Sequence, residues 1–115
     1  MPEIIVGAHA AMPFEKEDQE KFYAELAERN LATALEIPFR DSIHEDPDWF
    51  VAQVRGRFHR GVVTALPGTM KRFAEEPSFG LASNDDEGRR AAVEWVTGVR
   101  RAAEELNQLT GEETV

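Results

Sequence analysis

The sequence predicts an α/β fold made of three consecutive strand-and-helix units with parallel strands. Two observations carry this. Short β-branched apolar runs begin roughly 28–30 residues apart, and each is followed by a stretch of helical periodicity. Within the runs the apolar residues are successive rather than alternating, as in strands covered on both faces. Such alternation implies right-handed crossovers returning each helix onto the sheet.

The first run, Ile4-Ile5-Val6-Gly7-Ala8, reads as a buried strand, and a loop from His9 to Pro13 follows it. A helical pattern then spans about Glu15 to Arg29, with Phe22, Tyr23, Leu26 and Ala27 on the core-facing stripe. Asn30 is a suitable stop because Asn tolerates the left-handed conformation. The second strand is Ala32 to Ile37, closed by Pro38. Asp46-Pro47 starts the second helix: Asp caps free backbone donors, and Pro suits the first helical position. That helix buries Phe50, Val51, Val54 and Phe58, with Gly56 weakening its end.

The third strand, Gly61 to Leu66, runs into the turn signal Pro67-Gly68. A connection of roughly 16 residues carrying Met70, Phe73, Phe79 and Leu81 is expected next. Connections of that length inside a compact domain are uncommon and often functional. Ser83 and Asp86 have capping-box spacing. The third helix continues to about Leu109 with Ala92, Val96, Val99, Ala103 and Leu106 inward, and Gly111 stops it. Glu112 to Val115 form a tail or the beginning of a fourth strand.

Composition narrows the function. The chain has 115 residues, 42% of them hydrophobic, and reads as one globular domain over 1–115. With no cysteine it has no disulfides, thiolate metal sites or thiol nucleophile. A formal charge of −9 disfavours nucleic acid and anionic lipid as partners. No apolar run approaches the roughly 18 residues that span a bilayer. Met1-Pro2-Glu3 carries an acid where a signal peptide carries bases, so a soluble, cytoplasmic protein is expected. Gly7-Ala8-His9-Ala10-Ala11 does not match the dinucleotide fingerprint, and no Gly-Lys-Ser/Thr occurs. A receiver-type domain would need five strands and clustered aspartates after the first.

Ile4-Ile5-Val6-Gly7-Ala8-His9, Ala34-Leu35-Glu36-Ile37-Pro38 and the third helix from Asp85 to Leu106 resemble the xylose-isomerase-like TIM barrels. These form the sugar isomerase, epimerase and endonuclease superfamily. The stretch Val63 to Met70 together with Phe79-Gly80-Leu81-Ala82-Ser83 looks like an uncharacterised bacterial family within it. The resemblance implies the first part of a (βα)8 barrel, a fold of about 250 residues. In many members the metal and paired catalytic carboxylates lie on later strands, whose positions this chain does not include. No cofactor is therefore expected in this chain alone, a divalent metal being implied only for a completed barrel. Strand three also lacks the histidine that several members place at its end, having Ala65-Leu66-Pro67 instead.

Catalytic groups of such barrels lie at the C-terminal ends of the strands. Those ends supply His9, Glu36 and Thr64. Glu36 interrupts an apolar strand, where a carboxylate needs a partner. It serves as a substrate hydroxyl acceptor or general base beside His9, or else as a structural ion pair with Arg40 or Arg60. His9 either binds a sugar or metal or is simply a satisfied strand-end residue. His44, beside Asp41, Glu45 and Asp46, suits a hard cation less well than a solvated loop. His59 precedes strand three, at the face where residues usually serve stability. Phe79 to Ser83 form a lid over the mouth with Arg89 reaching an anionic group, or Phe79 merely plugs a gap between strand and helix.

Two functions follow as expectations. One is the N-terminal portion of a sugar isomerase or epimerase barrel taking a small sugar, not catalytic alone, completed by another chain. The other is a stand-alone α/β module that self-associates as a homo-oligomer through unpaired sheet edges or through Val6, Ile37, Val63 or their alternates.

Overall fold

The structure, a computed structural model, describes residues 4–114. Met1 to Glu3, where the absence of a signal segment was inferred, and Val115 lie outside the described residues. Four parallel strands stand in the order β1-β2-β3-β4. They are β1 (Ile5–Val6), β2 (Ala34–Pro38), β3 (Arg60–Thr64) and β4 (Glu113–Thr114). The helices are α1 (Lys16–Glu28), α2 (Pro47–Val54), α3 (Leu66–Glu75) and α4 (Asp86–Thr110). The parallel α/β architecture agrees with the alternation in the sequence. The final residues supply β4, which pairs Arg60 with Glu113 and Gly61 with Thr114.

Register explains which side chains meet. Ile5 pairs with Ala34, Leu35 with Gly61 and Ile37 with Val63. Because side chains alternate across a strand, Val6, Leu35, Ile37 and Val63 share one face. There they meet Tyr23 of α1, Phe50 and Val54 of α2, Phe58 from the segment before β3, and Leu106 of α4. The opposite face carries Ile5, Ala34, Glu36, Val62 and Thr64. Val6, Ile37 and Val63 are thus covered by helices, and their alternates occupy the other side.

Helix ends follow local chemistry. Asn30 adopts φ 52° after α1. The Asp46 side chain accepts from Trp49 N at 3.1 Å and caps α2. α2 ends at Val54, earlier than expected, because Gly56 takes φ 73° and turns the chain. That turn still delivers Phe58 to the core at 4% exposure. α4 stops at Gly111, φ 73°, whose N–H reaches Asn107 O at 2.8 Å.

Four expectations need correction. The first strand is only Ile5–Val6, with Ile5 exposed, because a 3-10 turn at Ala8–Ala11 begins at once. The connection after strand three contains a helix: Pro67 sits in the first turn of α3, where its missing N–H costs nothing. The cap of α4 is Asp85, which accepts from Gly88 N at 2.7 Å, while Ser83 Oγ accepts from Asp85 N instead. Gly68 has its own reason: a Cβ there would overlap the Trp95 ring and the Arg40 carbonyl. Within α4, Ala92, Val99, Ala103 and Leu106 are buried as expected, but Val96 faces outward. Among the described residues no helix is long and apolar enough to cross a membrane.

Candidate functional site

Glu36 sits on β2 opposite Val62, and Thr64 lies two residues beyond Val62 on the neighbouring strand. Diagonal neighbours on one sheet face are within reach of each other. The Thr64 hydroxyl accordingly donates a hydrogen bond to Glu36 Oε1. Glu36 Oε2 lies 2.9 Å from His9 Nδ1. The 3-10 turn after β1 is what carries His9 there. Gly7 makes room: a Cβ at that position would stand 3.1 Å from Glu36 Oε2.

Three strand ends therefore converge on one carboxylate. Glu36 is only 21% exposed, whereas the His9 ring is 51% exposed. Partial burial raises the cost of an unpartnered carboxylate, and both of its oxygens are engaged here. Its side-chain partners are His9 and Thr64, not the expected Arg40 or Arg60.

His9 and Glu36 line an open cleft of about 480 Å³, while Thr64 supports Glu36 from outside its lining. Tyr23, Phe50 and Ile43 form its apolar part, and Arg40, Asp41 and His44 belong to its polar rim. Burial pushes the Tyr23 phenol up, so it is neutral across the ordinary pH range. His44 stacks on Phe50 with rings 5.4 Å apart and 8° from parallel, and its Nδ1 accepts from Asp46 N at 2.9 Å.

Two of the three loop carboxylates that suggested a cation site, Asp41 and Asp46, are already bound within the chain. Asp46 caps α2 and pairs with Lys16 at 2.7 Å, and these contacts hold its carboxyl below the usual range. Asp41 receives Lys71 Nζ at 2.9 and 3.0 Å. That hydrogen bonding chiefly lowers its pKa, with Arg72 and Arg40 adding to the effect. Among the described residues no group of three or more potential metal ligands forms.

Phe79 and Arg89 are not brought to this cleft. Phe79 is buried with its ring 6.1 Å from Trp95, edge to face, which makes it a plug rather than a lid. Arg89 donates to Ser83 O at 2.7 Å and to Asp86, holding the start of α4. The cause is the intervening α3, which carries that segment away from the strand ends. His59 lies 3.8 Å from Glu112 at the opposite end of β3. Arg40, Asp41 and Tyr23 are cleft residues that strand-end inspection passed over. For Arg40 and Asp41 the signal was their place directly after the second strand.

No solved structure matches the chain significantly. A curated relative, Uncharacterized protein STM3670 of Salmonella typhimurium, is 32% identical over 115 residues. The match covers 96% of this chain and 36% of that relative, so the chain spans about a third of the relative's length. The family described as Domain of unknown function (DUF4862) matches residues 5–115. With nearly its whole length matched, the chain belongs to that family.

Proposed function

We propose that this chain supplies the first strands and helices of a xylose-isomerase-like (βα)8 barrel, a sugar isomerase or epimerase, and that His9, Glu36 and Thr64 face its substrate. The observation that carries the reading is the convergence of these three side chains at the C-terminal ends of neighbouring parallel strands. That is the end where barrels of this kind do their chemistry. The strand order favours it too, since each strand lies beside its sequence neighbour with no reversal point.

The geometry divides the labour. Glu36 Oε2 accepts the Nδ1–H of His9, a tautomer assigned from this contact, which leaves Nε2 as the basic nitrogen of a half-exposed ring. Nε2 takes a proton from the carbon beside a sugar carbonyl, whose electron pair moves into an enediolate. Returning the proton to the adjacent carbon, while the hydroxyl proton on the original carbon passes to the former carbonyl oxygen, isomerises the sugar, and a proton delivered by solvent to the opposite face of the original carbon epimerises it. Glu36 orients the imidazole and stabilises its protonated form, while Thr64 holds the carboxylate in place. The residues present do not fit a resident divalent metal: His9 and Glu36 engage each other, and among the described residues no third ligand joins them. No step here uses one.

A sugar titration followed by NMR tests the reading. Addition of xylose, glucose or fructose is expected to shift the resonances of His9 and Glu36. His9→Ala and Glu36→Gln should abolish those shifts without altering the circular dichroism spectrum. If no sugar perturbs the cleft, the reading fails. Aldose–ketose interconversion by this chain alone would break its partial-barrel component.

A second reading, self-association with another copy of the chain, is favoured by one specific feature. Leu66, Met70 and Phe73 form an i, i+4, i+7 stripe on α3 and are 67%, 55% and 49% exposed. Light scattering that finds only monomer at micromolar concentration would eliminate it.

A further inference from the structure

Two neutral polar groups of the cleft have no partner among the described residues. Tyr23 is 7% exposed, and its ring meets Phe22, Trp49, Phe50 and Phe58 edge to face. Its hydroxyl forms no hydrogen bond, yet the atom is not sealed from solvent, and the opening it borders is the cleft. A phenol buried to that degree usually has a hydrogen-bond partner. His44 carries the second group. It shares two ring neighbours with Tyr23, having Phe50 at 5.4 Å and Trp49 at 5.2 Å. Its Nδ1 accepts from Asp46 N at 2.9 Å, and the Asp46 carbonyl, 3.1 Å from the same nitrogen, already accepts from Phe50 N. A backbone N–H can only donate, so the neutral ring is assigned its proton on Nε2. That nitrogen is neither hydrogen-bonded nor sealed. His9 has the opposite tautomer, with Nδ1–H on Glu36 and Nε2 bare. Gln19, the amide of the lining, is spent on Pro13 O and Phe14 O. The charged groups of the lining besides the histidines are Glu36, Asp41, Glu45 and Arg40, so nothing there selects an anion.

We propose that Tyr23 and His44 form the carbonyl-binding side of the cleft: the Tyr23 O–H and the His44 Nε2–H hydrogen-bond to the carbonyl oxygen of a neutral, open-chain sugar whose neighbouring C–H faces His9. This role rests on the sugar isomerase reading above, and it provides donors for the oxygen on which charge develops. When His9 Nε2 removes the proton, the C–H electron pair forms the carbon–carbon double bond and the carbonyl π pair moves onto oxygen. Both donors keep their own protons. They strengthen their hydrogen bonds to that oxygen until the hydroxyl proton of the deprotonated carbon passes to it. Uncharged donors suit the task in a cleft rich in carboxylates. Burial keeps the phenol protonated, and a neutral imidazole polarises a carbonyl without drawing an anion.

Calorimetric titration of the chain, of Tyr23→Phe, of His44→Phe and of Glu36→Gln uses two neutral probes, xylulose and its carbonyl-free reduction product xylitol. Xylulose is expected to bind the native chain about tenfold tighter than xylitol. Tyr23→Phe and His44→Phe each keep a ring in place, and each should reduce that preference while leaving xylitol binding unchanged. His44→Gln, whose amide offers a donor in place of Nε2–H, should restore part of it. Nitrogen NMR of the native chain should find the neutral His44 ring protonated on Nε2, and a proton on Nδ1 overturns its role. If xylulose and xylitol bind alike, both Phe variants are silent and Glu36→Gln abolishes binding of both, the carbonyl-binding side is overturned while the sugar reading stands. If neither probe binds the native chain, the sugar reading fails and the role of Tyr23 and His44 fails with it.

Discussion

The two ends of the sheet's helical cover are finished to different degrees. Around β2, the Tyr23 ring meets Phe22, Trp49, Phe50 and Phe58 edge to face at centroid distances of 6.2–6.5 Å. Phe50, Val54, Phe58 and Leu106 there are each 4–5% exposed. Around α3 and the first half of α4, a smaller aromatic group joins Trp95 to Phe39 at 6.3 Å and to Phe79 at 6.1 Å. Outside that group Leu66, Met70, Phe73, Leu81 and Val93 remain about half exposed or more. Both regions contain amphipathic helices, but the apolar side chains of the first are the more completely covered. Amphipathicity shows that a helix has a face to bury, and the rest of the chain decides whether anything covers it.

Substitutions can break this contrast. Phe50→Ala removes a ring from the finished region and should cost about 3–5 kcal/mol in urea unfolding, because a cavity remains where the ring was. A loss comparable to that of Phe73→Ala would mean the two regions are packed alike. Asp46→Ala should cost less and should sharpen the picture, since it removes the cap of α2 and the partner of Lys16. The folded-state pKa of Asp46 lies below its ordinary value of 3.8, so its contribution is present above that value. It is lost as pH falls through the lower folded-state value. Thermal melts of the native and Asp46→Ala chains should therefore differ at neutral pH and converge in strong acid. Convergence in the opposite direction would refute the pairing. Smallest in stability is the paired change Met70→Ser and Phe73→Ser, within about 0.5 kcal/mol because both side chains are already exposed. Its larger effect should be on mass, reducing any dimer seen by light scattering to monomer.

Legibility in the sequence tracked the range of the forces involved. The stop at Asn30, the Asp46-Pro47 start and the stop at Gly111 were legible because each depends on one residue's backbone preference or side-chain cap. The helical stripe through Ala92, Val99, Ala103 and Leu106 was legible because its period is local. α3 was missed for an instructive reason. Pro67-Gly68 reads equally as a turn or as the first turn of a helix, and the deciding fact is a distant contact, Trp95 and the Arg40 carbonyl closing on Gly68. At the site, Glu36 was conspicuous as a charge within an apolar strand. Its partners were a different matter, since His9 and Thr64 stand 27 and 28 residues away in the chain.

The parallel α/β class, the element spacing and the three strand-end candidates were determined by sequence alone, through periodicity, β-branching and capping chemistry. Tertiary structure decided which candidates meet. Strand register sets Thr64 diagonal to Glu36, a 3-10 turn swings His9 onto the same carboxylate, and α3 carries Phe79 and Arg89 elsewhere. Residues that are remote in the chain become neighbours only when strand pairing and core packing bring them together.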